Sequence, residues 1–295
     1  LSKAAPILHA QNISVCYADG TVALSKVSIE IEPGKNTAIL GGNGAGKSSL
    51  LLTFNGILKP SSGKVYFQNE PLSYQKKKLL DLRKHVGVVF QSPDTQLFSA
   101  SVFEDISFGL MNLGLPKQEA EWRVEEIMKK TGTEALRNKP THCLSFGQKK
   151  RVALAGVLVM QPKVIVLDEP TLGLDPQGET EIMSLITRLA QELGLTLVIA
   201  THNMELVATH CHNAIVLSNG EVRFQGSVKE MFTHAGMLHR AKLRLTQVGE
   251  LMHELKTCEG FEFQETALTI SEARRQLKNA LLKPNEKYTP YEKHR

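Results

Sequence analysis

The chain has 295 residues, with 42% hydrophobic and 22% charged residues and a formal net charge of +5, a balance that suits one large α/β domain carrying a smaller appendage. No apolar run approaches the ~20 residues of a membrane-spanning helix; the longest, Val152 to Met160, is interrupted by Gly156, so the chain does not cross a bilayer alone. No charged-then-apolar leader opens the sequence, which makes cytoplasmic residence the expectation, and Cys16, Cys143, Cys211 and Cys258, with no C-x-x-C pair among them, read as reduced, buried thiols.

Residues 7–31 alternate apolar and polar positions in two runs around Ala18-Asp19-Gly20, predicting an antiparallel β region with its turn at Asp19-Gly20. The run Thr37-Ala38-Ile39-Leu40 then enters Gly41-Gly42-Asn43-Gly44-Ala45-Gly46-Lys47-Ser48, and Ser49-Leu50-Leu51-Leu52 leaves it as a helix. This matches G-x-x-x-x-G-K-[ST] at every fixed position, in the strand, loop and helix context that the motif requires. The glycines let backbone N–H groups turn inward as an anion nest at a helix N-terminus. Residues Gly41 to Ser49 are therefore the expected nucleotide contacts, with Lys47 on the β- and γ-phosphates and the Ser48 hydroxyl on Mg²⁺.

Val65-Tyr66-Phe67 and Val86 to Phe90 read as further strands. Between Phe90 and Leu144 the pattern turns helical: Val102, Ile106 and Leu110 fall four apart, and Val124, Ile127 and Met128 line one face beyond Pro116. About residues 92–145 are expected to form a helical subdomain inserted into the sheet domain. Leu144-Ser145-Phe146-Gly147-Gln148, followed by Lys149-Lys150-Arg151, begins a helix whose N-terminal N–H groups and serine hydroxyl suit phosphate oxygens.

The apolar strand Val164 to Leu167 ends in two adjacent carboxylates, Asp168 and Glu169, a placement that calls for a cation or a water-filled site. Asp168 is expected to bind Mg²⁺. Glu169, pointing elsewhere, is expected to polarise a water for in-line attack on the γ-phosphorus. Thr196 to Ala200 and Ala214 to Leu217 are the last strand-like runs, and the near-continuous β-branched segments predict buried parallel strands covered on both faces. After about Phe232 the alternation stops. An ATPase domain over 1–240 and a C-terminal extension over 241–295 follow, with a capping box Thr269-Ile270-Ser271-Glu272 before a last helix and a frayed tail from Pro284. Residues 271–295 hold seven Lys or Arg against three Glu, which reads as a solvated tail rather than a nucleic-acid-binding surface, since no aromatic residues interleave with an extended basic groove.

With the phosphate loop, the paired carboxylates and Leu144-Ser145-Phe146-Gly147-Gln148 in order, the chain resembles the ATP-binding-cassette family, whose signature reads LSGGQ where this one has Phe146 in place of the first glycine. The resemblance covers residues 7–232 and implies an α/β P-loop NTPase fold with an antiparallel β region, an inserted helical subdomain and, here, a small α/β C-terminal extension. It implies further that Ser145, Phe146, Gly147 and Gln148 meet the ATP of an opposite subunit, and that Asp175 lies in a loop crossing the dimer interface. On the same basis Gln91 reaches Mg²⁺ and the attacking water, His202 hydrogen-bonds the γ-phosphate, and Tyr17 stacks on adenine. ATP and Mg²⁺ are the implied cofactors.

Phe90-Gln91-Ser92-Pro93-Asp94-Thr95-Gln96-Leu97-Phe98 is similar to a stretch typical of the energy-coupling-factor group of importers, and Cys143 to Ala153 is most similar to cobalt-uptake ATPases of the CbiO type. That likeness implies a homodimer or paired ATPase, with the C-terminal extension helping to hold the pair. It also implies a transmembrane coupling protein, a substrate-capturing membrane protein and a place on the cytoplasmic face of the membrane. Co²⁺ leads as substrate, with Ni²⁺ or a vitamin next; no histidine cluster argues for the metal, and His210-Cys211-His212 reads as incidental. A soluble cassette acting on nucleic acid or ribosomes fits less well, because no heptad run separates phosphate loop and signature and only one cassette is present. A catalytically silent scaffold fits least, since Lys47, Asp168, Glu169 and His202 are all in place.

Overall fold

A computed structural model of the chain describes residues 5–263 and 266–282. The chain runs β1 (Leu8–Cys16), β2 (Val22–Ile31), β3 (Asn36–Leu40), α1 (Lys47–Phe54), β4 (Ser62–Phe67), β5 (Glu70–Pro71), α2 (Lys76–His85), β6 (Val86–Val89), α3 (Val102–Asn112), α4 (Lys117–Thr131), α5 (Phe146–Leu158), β7 (Val164–Asp168), α6 (Pro176–Leu193), β8 (Thr196–Ala200), α7 (Met204–His210), β9 (Asn213–Ser218), β10 (Glu221–Ser227), α8 (Val228–Phe232), α9 (Ala235–Arg240), α10 (Gln247–Thr257) and α11 (Ile270–Leu282).

The alternating early segment forms a four-stranded antiparallel sheet in the order β2-β1-β4-β5. Its inward positions, among them Leu8, Ile13, Val15, Leu24, Ile29 and Ile31, are buried against α1 and one face of the second sheet. That second sheet has the order β10-β9-β3-β8-β7-β6. Its five strands from β9 to β6 are mutually parallel, and β10 closes the edge antiparallel. Every residue of β3 and β8 is buried, as expected of strands covered on both faces. The sheets are joined where the Ser25 N–H donates to the Gly220 carbonyl at 2.8 Å and Gln225 Nε2 to the Glu30 carbonyl at 3.0 Å.

On the other face, α5 and α6 pack with α3 and α4. Val102, Ile106, Leu110 and Val124 lie in one continuous core with Ile165 and Leu167 of β7 and Ile199 of β8. The helical insert therefore has no core of its own, and α5, which starts just past residue 145, packs on α3 and α4. Among the described residues no helix is long and apolar enough to cross a membrane.

The chain beyond Arg240 departs from expectation in one respect. The extension was expected to be α/β, but its described residues form α10, α11 and irregular chain between them. A strand needs a ladder partner, and the described residues offer none near 261–263. The capping box is formed: Glu272 Oε2 accepts from the Leu268 and Thr269 N–H groups at 2.9 and 3.3 Å, and the Glu272 N–H donates to Thr269 Oγ1 at 3.3 Å. The tail from Pro284 lies outside the described residues.

The cysteines also require correction. None is in a disulfide, but Cys16, Cys143 and Cys258 are exposed rather than buried. They stand at the outward end of β1, in the turn before α5 and at the C-cap of α10, where packing covers one side at most. Only Cys211 is partly covered; burial of its thiol pushes its pKa up to about 12.

Candidate active site

Parallel pairing brings the carboxyl ends of β3, β8, β7 and β6 to one sheet edge in that spatial order. The phosphate loop leaves β3, Thr201-His202 follow β8, Asp168 ends β7 with Glu169 directly after it, and Gln91 lies just beyond β6. Neighbouring strands lie about 4.8 Å apart, so residues distant in sequence fall into one row, at the crevice where open α/β sheets receive ligands.

The loop's shape is enforced by glycine. Gly46 has φ 100°, and a Cβ there would lie 2.5 Å from the Ala23 carbonyl oxygen; a side chain is excluded both by conformation and by space. Gly46 is also the N-cap of α1 and offers no side-chain acceptor, so the first-turn N–H groups remain for an anion. Asn43 and Gly44 form the exposed tip and Ala45 packs inward. Lys47 is 9% exposed, and its Nζ donates to the carbonyls of Gly41 at 2.7 Å and Gly42 at 3.3 Å. The Tyr17 hydroxyl shares a hydrogen bond of 2.9 Å with Ser49 Oγ, fixing the half-exposed ring beside α1.

The two carboxylates face different partners. Burial raises the pKa of Asp168, and a hydrogen bond to Ser48 works against that rise, as do the charges of Lys47 and Lys150. A hydroxyl and a buried carboxylate at the mouth of a phosphate loop are hard oxygen donors that suit Mg²⁺, which keeps most of its other ligands as water and phosphate. A dication there would offset the burial of Asp168.

Glu169 is 8% exposed and held at every polar group. Its N–H donates to the Ala200 carbonyl at 2.9 Å, its carbonyl accepts from Lys150 Nζ at 3.2 Å, Oε1 pairs with His202 Nδ1 at 2.8 Å, and Oε2 accepts from Thr201 Oγ1 at 3.2 Å. Its backbone is left-handed at φ 45°, a conformation that costs a non-glycine residue about 1–3 kcal/mol and persists only where surroundings over-determine it. The partner set supplies that determination. A carboxylate aimed in this way, beside a histidine half open to solvent, is placed to take a proton from water.

The remaining predicted residues form a second cluster. Ser145 caps α5 in a box with Gln148: the Gln148 N–H donates to Ser145 Oγ at 3.3 Å, and the Ser145 N–H to Gln148 Oε1 at 3.0 Å. The ring of Phe146 lies against Gly173, where a Cβ would come within 2.8 Å of it, and Gly147 faces Leu174. Asp175 caps α6 by accepting from the Gly178 N–H at 2.7 Å. Signature and Asp175 loop are thus packed together, on the side of the sheet edge bearing α5 and α6.

Sequence reasoning missed Thr201 and Lys150. Thr201 is fully buried and bonds both Glu169 and the Asn203 N–H. Lys150 is 4% exposed. Burial lowers its pKa to about 8, against the pull of the Glu169 and Asp168 charges. Its one sequence signal was helical spacing, four residues after Phe146 and three before Ala153, which turns it inward while Lys149 and Arg151 pair outward with Asp94 and Glu181 at 2.6 and 2.7 Å. The His210-Cys211-His212 triplet does not converge: His210 pairs with Thr187 Oγ1 and His212 Nδ1 accepts from the Asn36 N–H.

Residues 24–172 match the family described as ABC transporter. The chain belongs to the ABC transporter family. It is 53% identical to the energy-coupling factor transporter ATP-binding protein EcfA2 of Clostridium perfringens over 91% of this chain and 94% of that one. Among solved structures it resembles cbiO1 of Clostridium perfringens, part of the ABC transporter complex cbiONQ, with a TM-score of 0.73 and 52% identity over 84% of this chain and 99% of that one. It also resembles the dimeric ATP-binding cassette MJ0796 bound to ADP and Pi, with a TM-score of 0.68 and 28% identity over 75% and 98% of the two chains. As an ABC transporter ATP-binding protein, the chain is an ATPase.

Proposed function

We propose that this ATPase powers uptake of Co²⁺ by an energy-coupling-factor importer, working as a pair on the cytoplasmic face of the membrane. The observation that carries the hydrolytic half is the complete hydrogen bonding of Glu169 at the end of β7, beside the phosphate loop. With ATP on that loop, the α1 N–H groups and Lys47 hold the β- and γ-phosphates, and Glu169 accepts a proton from the water that attacks the γ-phosphorus in line. His202, 2.8 Å from Glu169, contacts the γ-phosphate. Mg²⁺ held by Ser48, Asp168 and Gln91 would neutralise charge on the phosphate oxygens.

Pairing is supported by the dimeric MJ0796 cassette and by the composition of the C-terminal unit. Its own core is Met252, Ala267 and Ala273 with a few half-buried neighbours, while Leu251, Ile270 and Leu281 stand exposed. A core that small is marginal alone, and these residues suit contact with a second copy. A membrane partner is supported by the insert, where Phe98 and Phe108 form an exposed edge-to-face pair at 4.7 Å beside Met111, itself 69% exposed. Apolar surface gathered next to the Gln91 loop suits a coupling protein whose motion follows ATP turnover. Co²⁺ rests on the likeness of residues 143–153 to CbiO-type ATPases and of 84% of the chain to cbiO1.

The test is ATP-dependent uptake by the complex recovered from membranes with this chain. Accumulation of Co²⁺, abolished in Glu169→Gln, is the expected result. Uptake of Ni²⁺ or a vitamin instead would transfer the role to that substrate, and recovery with ribosomes or nucleic acid alone would end the transport reading.

A further inference from the structure

Lys150 lies between the two clusters of the site. It sits one helical turn into α5, the helix whose N-terminus presents Ser145, Phe146 and Gly147. Its ammonium donates to the Gln91 carbonyl at 3.3 Å and the Glu169 carbonyl at 3.2 Å, and its Nζ stands 5.3 Å from the centre of the Phe146 ring. That ring packs on Gly173, two residues before Asp175. Burying an ammonium is costly unless it is hydrogen-bonded, and filling this space alone would be served by an apolar side chain of similar length. What the ammonium adds is a tie between two backbone carbonyls that leave different strands, β6 and β7, both anchored to one helix.

We propose that Lys150 is a positioning residue for hydrolysis: it sets the backbone of Gln91 relative to that of Glu169 and connects both to the signature helix, so that engagement of Ser145 and Gly147 with an opposite subunit's nucleotide bears on the base of its own subunit. The proposal rests on the assignment of Glu169 as base. Lys149 and Arg151 cannot substitute, since each is drawn to the surface by its own carboxylate.

The test compares Lys150→Met, Lys150→Arg and Glu169→Gln in the full chain, measuring kcat, KM for ATP, affinity for a fluorescent ATP analogue and thermal midpoint. Misplacing a catalytic group by about 1 Å costs on the order of a hundredfold in rate, so Lys150→Met is expected to lose ten- to a hundredfold in kcat, with KM and analogue affinity held within about twofold. Lys150→Arg, which keeps charged donors, is expected to recover most of that loss. Full kcat in Lys150→Met, or equal loss of kcat, analogue binding and thermal midpoint in both lysine variants, would overturn the proposal. Retained hydrolysis in Glu169→Gln would instead remove the base assignment, independently of the lysine result. Should Lys150→Met fail to fold, Lys150→Gln serves the same comparison, with a fall in kcat at constant KM again expected.

Discussion

The carboxyl edge of the parallel sheet and the C-terminal helix pair are built on opposite terms. At the sheet edge, β7 and β8 are buried between two large cores and β3 between one of these and a third, and that rigidity holds Glu169 in a left-handed backbone with every polar group bonded. In the helix pair, the core is Met252, Ala267 and Ala273, and apolar residues of both helices face outward. Strain can be maintained where packing is deep. Where packing is shallow, apolar surface remains available for another chain.

The largest expected effect falls on the sheet edge. Glu169→Gln removes the proposed proton acceptor but keeps the shape, so the hydrolysis rate should drop about 10²- to 10⁴-fold while ATP binding persists; single-turnover hydrolysis and equilibrium binding measured together check this. Next, truncations should separate the regions. Leu197→Ala in fully buried β8 should cost about 2–5 kcal/mol, and Met252→Ala in α10, where the surroundings can collapse, about 1 kcal/mol, as read from denaturant midpoints. Equal costs would remove the contrast. Hydrogen exchange sharpens it further: amides of α10 and α11 should exchange well before those of β3, β7 and β8.

A smaller effect concerns association. Leu251→Asp with Ile270→Asp touches exposed positions, so monomer stability should change by about 0.5 kcal/mol or less while self-association weakens in sedimentation. Last, alkylation at pH 8 should modify Cys16, Cys143 and Cys258 well before Cys211, whose thiol burial pushes up to about 12, because the thiolate is the reactive form; mass spectrometry of timed samples reads the order.

Much of the fold was legible because it is written in local pattern. Alternation predicted β1 and β2, the four-residue spacing of Val102, Ile106 and Leu110 predicted α3, and Thr269 with Glu272 marked the start of α11. The phosphate loop and the carboxylates after β7 were legible for a similar reason, since each is a short motif whose chemistry depends on neighbours in sequence. The exposure of three cysteines and the helical make-up of the C-terminal unit were not. Burial is decided by what other segments cover, and a strand exists only where a partner edge is offered.

By itself, then, the sequence determined most of the strands and helices of the sheet domain, and that a glycine-rich loop and two adjacent carboxylates follow apolar strands, because periodicity and turn chemistry act over a few residues. Only the tertiary structure decided that Thr201 and His202 hold the carboxylate of Glu169, that Lys150 turns inward to the carbonyls of Gln91 and Glu169 while Lys149 and Arg151 turn out, and that Phe146 rests on Gly173. Those contacts join segments brought together by the order of strands in the sheet, and that order is set by the packing of the whole chain.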